Sequence, residues 1–199
     1  MMLGRMTIDV RPATTFADIA TMVGPKKPTS NVCWCLSYRI PSTENRALLR
    51  EQRGEFVKEL CDSGIPLGVL AYETIDDTEE VVGWAAVSPR ADTTFARNRK
   101  IPHVDDLPVW SAWCLRVRPG HRKKGISRAL LQGAVEFARS NGAPAIEGYP
   151  LDNRGKKVDL TMAYVGTRGL FEKAGFEWAA DTTSVLDGFP RVVMRKSLR

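Results

Sequence analysis

The hydrophobic positions of this chain change period along its length. In the first half, short apolar runs and alternating patterns predict strands; in the second, a 3.6-residue period predicts helices. Residues 7–11 alternate Ile8 and Val10 with polar neighbours, a first strand. Residues 16–23 predict a short helix, and the Gly- and Pro-rich stretch 24–30 breaks it. Residues 31–39 contain Cys33, Trp34, Cys35, Leu36 and Tyr38 and predict a short strand or an extended loop. Residues 44–61 predict a helix with Leu48, Leu49, Phe56, Val57 and Leu60 on its buried side. Runs at 67–73 and 81–87 flank a polar turn, 76–80, and predict a hairpin. Residues 88–107 form a long polar insertion, a kind of segment that often carries function inside a compact domain.

The pattern is clearest from residue 110 onward. An apolar run at 110–117 predicts a central strand. Ile126, Ala129, Leu130, Gly133, Ala134, Phe137 and Ala138 then fall on one helical face, with Arg128, Gln132, Glu136 and Arg139 opposite. Gly142 is a natural C-terminal cap. A buried strand at 145–149, a polar loop at 153–159 and a second helix at 161–174, stopped by Gly175, follow. Two closing strands, 176–182 and 191–196, surround a turn at 187–190. Strands early and crossover helices late make this an α/β domain with a mixed sheet.

Between the central strand and its helix lies Val117-Arg118-Pro119-Gly120-His121-Arg122-Lys123-Lys124-Gly125-Ile126-Ser127. A strand, a basic turn with glycine and a helix N-terminus make a site for an anion. The first N–H groups of a helix have no partner within it, and the helix dipole is positive there. The net charge of the chain is +6, and residues 116–128 alone hold six Lys or Arg and no acid. A patch of this kind suits nucleic acid, an anionic membrane surface or a small polyphosphate. No nucleic-acid-binding motif or interleaved surface aromatics accompany it, so a nucleic-acid partner ranks last.

Composition narrows the class. The 199 residues suit one domain spanning 1–199, with 43% hydrophobic and 26% charged residues. No apolar run approaches the roughly 20 residues that span a bilayer, and Met1 to Met6 lack the apolar core of a signal peptide. A cytoplasmic location and no membrane partner are expected. Cys33 and Cys35 form C-x-C rather than C-x-x-C, and His103 and His121 are isolated, so no metal is expected. In a cytoplasmic chain the four cysteines are expected as reduced thiols. A homodimer is compatible with the sequence, which leaves the oligomeric state open.

The turn at 117–127 resembles the acetyl-CoA motif of the GNAT superfamily of N-acetyltransferases, V-x-P-x-x-[RQ]-x-x-G-x-[GA], with Ser127 at the last position. Leu170-Phe171-Glu172-Lys173-Ala174-Gly175-Phe176 resembles the same family's L-Y-E-K-x-G-F signature, in the expected order. Cys33-Trp34-Cys35, Val104-Asp105-Asp106 and Glu147-Gly148-Tyr149-Pro150 together are similar to a bacterial subset of the family. The resemblance implies a GNAT-like mixed, mostly antiparallel sheet flanked by helices. It also implies acetyl transfer from acetyl-CoA to a primary amine of a small molecule or protein, by direct attack and without a metal.

The implied chemistry assigns residues. The CoA pyrophosphate would take backbone N–H groups and side chains from Arg122, Lys123, Lys124, Gly125, Ile126 and Ser127. The pantetheine arm would pair with Leu115 and Val117, and the Val117 N–H would polarise the thioester carbonyl. A lysine-like amine with pKa about 10.4 is neutral in roughly one molecule in 2,500 at pH 7, a penalty of about 4.6 kcal/mol. A general base offsets part of this, and the candidates are Glu147, Asp105, Asp106 and Glu73. The family's usual acid for the departing thiolate is a tyrosine, and here that position is Phe171. Tyr164, two helical turns earlier on the expected face, is the first substitute and also a CoA contact, followed by Tyr149 and Ser127. Cys33 and Cys35 admit a ping-pong role, although no histidine lies near them in sequence and packing is the favoured reading. Strand alternation would put both sulfurs on one side and Trp34 on the other, and Trp34, Tyr38, Trp84 and Trp110 are candidates for an acceptor pocket. Phe171 keeps an alternative open: a GNAT-like module that binds CoA and regulates a partner.

Overall fold

The computed structural model describes residues 7–27, 29–159 and 162–199. The leader expectation at Met1 to Met6 and the expected helix start at Thr161 lie outside them. Seven strands form one sheet in the order β1-β2-β3-β4-β5-β7-β6. They are β1 Thr7–Pro12, β2 Gly68–Ile75, β3 Thr78–Pro89, β4 Trp110–Val117, β5 Ala145–Gly148, β6 Glu177–Leu186 and β7 Phe189–Ser197. Every neighbouring pair is antiparallel except β4 and β5, which are parallel and joined by helix α4, Ile126–Ser140. Parallel neighbours need such a crossover, which carries the chain from one end of the sheet back to the other.

Strand alternation sorts the core into two layers. Leu70, Tyr72, Trp84, Ala86 and Trp113 face a cluster completed by helix α1, Phe16–Val23, and by Trp34, Leu36, Phe95 and Tyr149. Val69, Ala71, Val82, Val87 and Ala112 face the other layer, with Ile126, Leu130, Leu131 and Ala134 of α4 and with Phe171 and Phe176. The apolar stripe that predicts α4 is the stripe that covers the sheet. Phe95 and Ile101 are fully buried, so the insertion after β3 seals one end of the core rather than standing free.

Three expectations are corrected. The 44–61 helix is two helices, α2 Ser42–Ala47 and α3 Gln52–Asp62. Arg50 is left-handed and donates its N–H to Asn31 Oδ1 (2.7 Å), while Arg53 donates to the carbonyls of Asn45 (2.5 Å) and Leu48 (3.1 Å). The side chain thus satisfies carbonyls that a continuing helix would have used. Leu49, expected inside, is 51% exposed.

The 161–174 helix is likewise divided, into a 3-10 helix at Met162–Val165 and helix α5, Arg168–Lys173. Gly166 turns left-handed between them, and Leu151 bonds both Gly166 and Arg168 through its backbone. Tyr164 and Phe171 therefore do not share a helical face. Residues 31–39 form neither a strand nor an extended loop. Cys33, Trp34 and Cys35 all have positive φ (30°, 57° and 48°), so side-chain alternation does not apply.

Candidate functional site

The site begins where β4 and β5 part. Their pairing covers only Trp110 to Ala112 against Ile146 to Gly148. Beyond Ala112 the register of β4 against β3 shifts and Cys114 turns left-handed (φ 54°), a bulge that bends the strand. The 3-10 helix Met162–Val165 packs against β4 beside the opening. A cleft of about 870 Å3 results, within the size range of small-molecule sites, running from Cys33, Ser37 and Tyr164 along Cys114 to Val117 and on to the turn before α4.

At the far end, Gly125 precedes α4 with φ 82°, a left-handed conformation that glycine adopts without strain. No side chain caps α4, and its first turn contains no acid. The Gly125 carbonyl accepts the N–H groups of Arg128 and Ala129, so the N–H groups of Ile126 and Ser127 are the first without an intrahelical acceptor. Arg116, Arg122, Lys123 and Arg128 line the cleft and have no ion pair among the described residues. Arg118 and Lys124 are committed elsewhere, Arg118 to Glu80 and Lys124 to Glu73 (2.8 Å). Expected as a cofactor ligand through its side chain, Lys124 instead braces the turn from behind. Buried Glu73 also accepts from His121 Nδ1 (2.5 Å). Lys124 first, and then His121, hold the Glu73 carboxyl below its ordinary pKa despite burial.

The opposite wall is the left-handed turn at 33–35. Each such non-glycine residue stores about 1 kcal/mol or more, so the turn must be held from outside. Trp34 donates its N–H to the Val23 carbonyl (2.7 Å) and stacks on Phe16, Trp113 Nε1 donates to the Ser37 carbonyl (2.7 Å), and Cys35 forms a disulfide with Cys114. That bond corrects the expectation of four reduced thiols: Cys33 and Cys61 alone are free. Cys33 lines the cleft, where its Sγ accepts the Cys35 N–H (3.2 Å) and Arg116 Nη1 (3.6 Å). The aromatic acceptor pocket is not present: Trp34, Tyr38, Trp84 and Trp110 do not line the cleft, and Trp34 and Trp84 are core residues.

Leu115, Val117, Arg122, Lys123, Gly125, Ile126, Ser127 and Tyr164 come together in this cleft. The carboxylates expected as bases do not. Glu147 is buried, pairs with Arg90 Nη1 (2.9 Å) and accepts the Tyr149 hydroxyl (3.0 Å). Asp105 makes a bidentate pair with Arg195 (2.8 and 2.9 Å), which holds its carboxyl below the ordinary value. Among the described residues, no Asp or Glu lines the cleft. Phe171 is fully buried, edge-on to Phe176 and pressed against Gly148, where a Cβ would lie 2.0 Å from its ring. The position of the family's usual acid is thus filled by core packing. Tyr164 reaches the cleft from its 3-10 helix, and burial, together with the neighbouring Tyr38 hydroxyl to which it is hydrogen-bonded, raises its pKa well above the ordinary tyrosine value. Tyr38 in turn accepts Arg191 Nη1 (2.8 Å). Sequence reasoning missed Ser37, Arg116 and Arg128 as lining residues; the two arginines lie within the basic segment but outside the glycine motif.

An open parallel pair, an uncapped helix N-terminus and cations without ion pairs among the described residues make a cleft suited to an anionic ligand. The sequence profile of the acetyltransferase (GNAT) family matches residues 37–176, and the chain belongs to that family. Among solved structures, a GNAT-family protein from Desulfovibrio desulfuricans is 17% identical, with 97% of this chain and 100% of that one covered and a TM-score of 0.54. The protein yncA from Salmonella typhimurium, solved with its cofactor acetyl-CoA, is 17% identical over 96% and 94% of the chains, with a TM-score of 0.52. A GNAT-family acetyltransferase from Streptococcus pneumoniae is 14% identical over 96% and 99%, also at 0.52. At these identities the likeness establishes the fold. No curated protein matches the chain. Among the described residues, no helix is long and apolar enough to cross a membrane, and no group of three His, Cys, Asp or Glu could hold a metal ion.

Proposed function

We propose that the protein binds acetyl-CoA in this cleft and transfers its acetyl group to a primary amine of a small molecule or a protein. The observation that carries the reading is the continuity of one cleft from the uncapped α4 N-terminus to the parted end of β4. A diphosphate needs several N–H donors and cations in one concave turn, and Ile126, Ser127, Arg122, Lys123 and Arg128 are placed to supply them. A chain of amides needs an unpaired strand, and past Ala112 β4 has no β5 partner at Leu115 and Val117. A departing thiolate needs a proton, and the Tyr164 phenol, which reaches the cleft, is the donor; burial and Tyr38 raise its pKa, which makes it a weaker acid than a free tyrosine. The solved yncA structure with acetyl-CoA supports the choice of ligand.

Calorimetry with acetyl-CoA and with CoA tests the reading. Binding is expected in the parent, and its absence ends the proposal. Release of free thiol across a panel of amines then tests transfer. Binding without amine-stimulated release selects the second reading, a CoA-dependent regulatory module. The burial of Phe171 at the family's usual acid position favours that alternative.

A further inference from the structure

Of the lining cations without an ion pair among the described residues, three have a task. Arg122 and Lys123 belong to the turn before α4, and Arg128 belongs to its first turn, where the diphosphate is expected. Arg116 is left over. It pairs in register with Trp84 of β3, so its side chain leaves the sheet on the face that Trp84 shares with Trp34 and Leu36. Its neighbours Leu115 and Val117 pack on the opposite face, with Ile126 and Leu130 of α4. Arg116 therefore points away from the layer that carries the phosphate turn. We infer that Arg116 binds the acceptor, and that the acceptor is an amine with an anionic group of its own, a carboxylate or a phosphate. This rests on the acetyl-CoA reading of the cleft given above.

The position of the guanidinium agrees with this. Arg116 Nη1 lies 3.6 Å from Cys33 Sγ, at the wall that Ser37 and Tyr164 also line and at the end of the cleft away from the phosphate turn. Arg116 is exposed to the cleft and has no carboxylate partner among the described residues. It directly precedes Val117, whose N–H is the expected partner of the thioester carbonyl. An anion held on Arg116 thus keeps an attached amine within one side-chain length of the acyl carbon. Arginine presents a planar fork that grips a carboxylate or a phosphate on two bonds, and Ser37 offers a hydroxyl on the same wall.

The sign of the charge decides between acceptor classes. No Asp or Glu among the described residues lines the cleft. The second ammonium group of a polyamine would find cations there and no counter-charge, and a neutral monoamine would leave Arg116 without a partner. An amine that brings an anion satisfies Arg116 and is drawn in by the same positive field that draws the diphosphate.

The test measures acetyl-CoA-dependent thiol release by the full chain with ethanolamine, serine, O-phosphoethanolamine and spermidine. Serine and O-phosphoethanolamine keep the ethanolamine skeleton and add a carboxylate or a phosphate, so the two arms separate the two anions. At least one of them should exceed ethanolamine in kcat/KM by about 10- to 100-fold, the worth of a charge-assisted pair, with spermidine lowest. Arg116→Gln should bring that ratio to within about threefold of one, and Arg116→Glu should invert it. Comparing ratios between variants cancels differences in amine basicity, because each enzyme meets the same amines. In calorimetry the acetyl-CoA affinity of Arg116→Gln should stay within about threefold of the parent. No preference for an anionic amine, a preference that survives Arg116→Gln, or a tenfold or greater loss of acetyl-CoA affinity in that variant overturns the inference and leaves the acetyltransferase reading intact. Acetyl-CoA binding without thiol release from any of the four amines overturns it together with transfer and selects the regulatory module. Absence of acetyl-CoA binding by the parent removes the cofactor reading itself.

Discussion

The two ends of the cleft are built by opposite means. The turn before α4 is local: eleven consecutive residues carry the strand end, the basic turn, the left-handed glycine and the first helical N–H groups. The wall at residues 33–38 is assembled from a distance, by Val23, Trp113, Cys114, Arg116 and Arg191. The local end presents backbone donors and cations, which suit any polyphosphate. The assembled end presents the Cys33 thiol and the Tyr164 hydroxyl to the cleft. Gly125→Asp should break the local end most severely. It puts a side chain on a left-handed residue, at a backbone cost of about 1–2 kcal/mol, and a negative charge at the anion site, with open space around the new Cβ. Acetyl-CoA affinity should fall at least about 1,000-fold, roughly 4 kcal/mol. A smaller loss in calorimetry would mean that the phosphates lie elsewhere.

Glu147→Gln asks whether the buried carboxylate serves the assembled end as a base or serves the fold. It would leave Arg90 buried without its counter-charge, a loss of about 3 kcal/mol or more in unfolding experiments. Turnover at a temperature where the variant stays folded should remain near the parent value. A collapse of turnover in a folded variant would return Glu147 to the chemistry.

Tyr164→Phe probes the acid. Turnover should fall about 100-fold with little change in acetyl-CoA affinity. Because burial and Tyr38 raise the Tyr164 pKa, its proton is retained as pH rises through the ordinary tyrosine value of about 10. The turnover of the parent should therefore show no alkaline loss from this group below that pH. A parental alkaline limb below pH about 9 that vanishes in Tyr164→Phe would contradict the assignment.

What was legible in the sequence follows the same division. The limits of β4 and the start of α4 after its glycine turn are set by periodicity, glycine and local charge, and the structure has them at the expected residues. The outer limits of the 44–61 helix were legible too, but its interruption was not. That depends on Asn31 meeting Arg50 and on Arg53 satisfying carbonyls, contacts that no period encodes. Tyr164 reached the cleft although the helix meant to carry it is divided at Gly166. The disulfide, the left-handed turn at Cys33 and the absence of carboxylates from the cleft depend on which distant side chains meet. Acidic residues near the motif in the chain were therefore a poor guide to acids near the ligand.

Asp105→Asn should have the smallest effect and bears on that last point. Asp105 was a candidate base because it precedes the central strand, yet its carboxylate grips Arg195 on two bonds and does not line the cleft. Arg195 depresses the Asp105 pKa, so this pair adds stability above the unfolded aspartate value of about 3.9 and loses it as pH falls through the lower folded value. The asparagine variant should lose that acid-range dependence. At neutral pH its turnover and acetyl-CoA affinity should stay within about twofold of the parent, because exposed pairs contribute little. A tenfold or greater fall in turnover with affinity intact would mean that the 88–107 insertion moves onto the cleft during catalysis, and would give the assembled end the carboxylate it lacks.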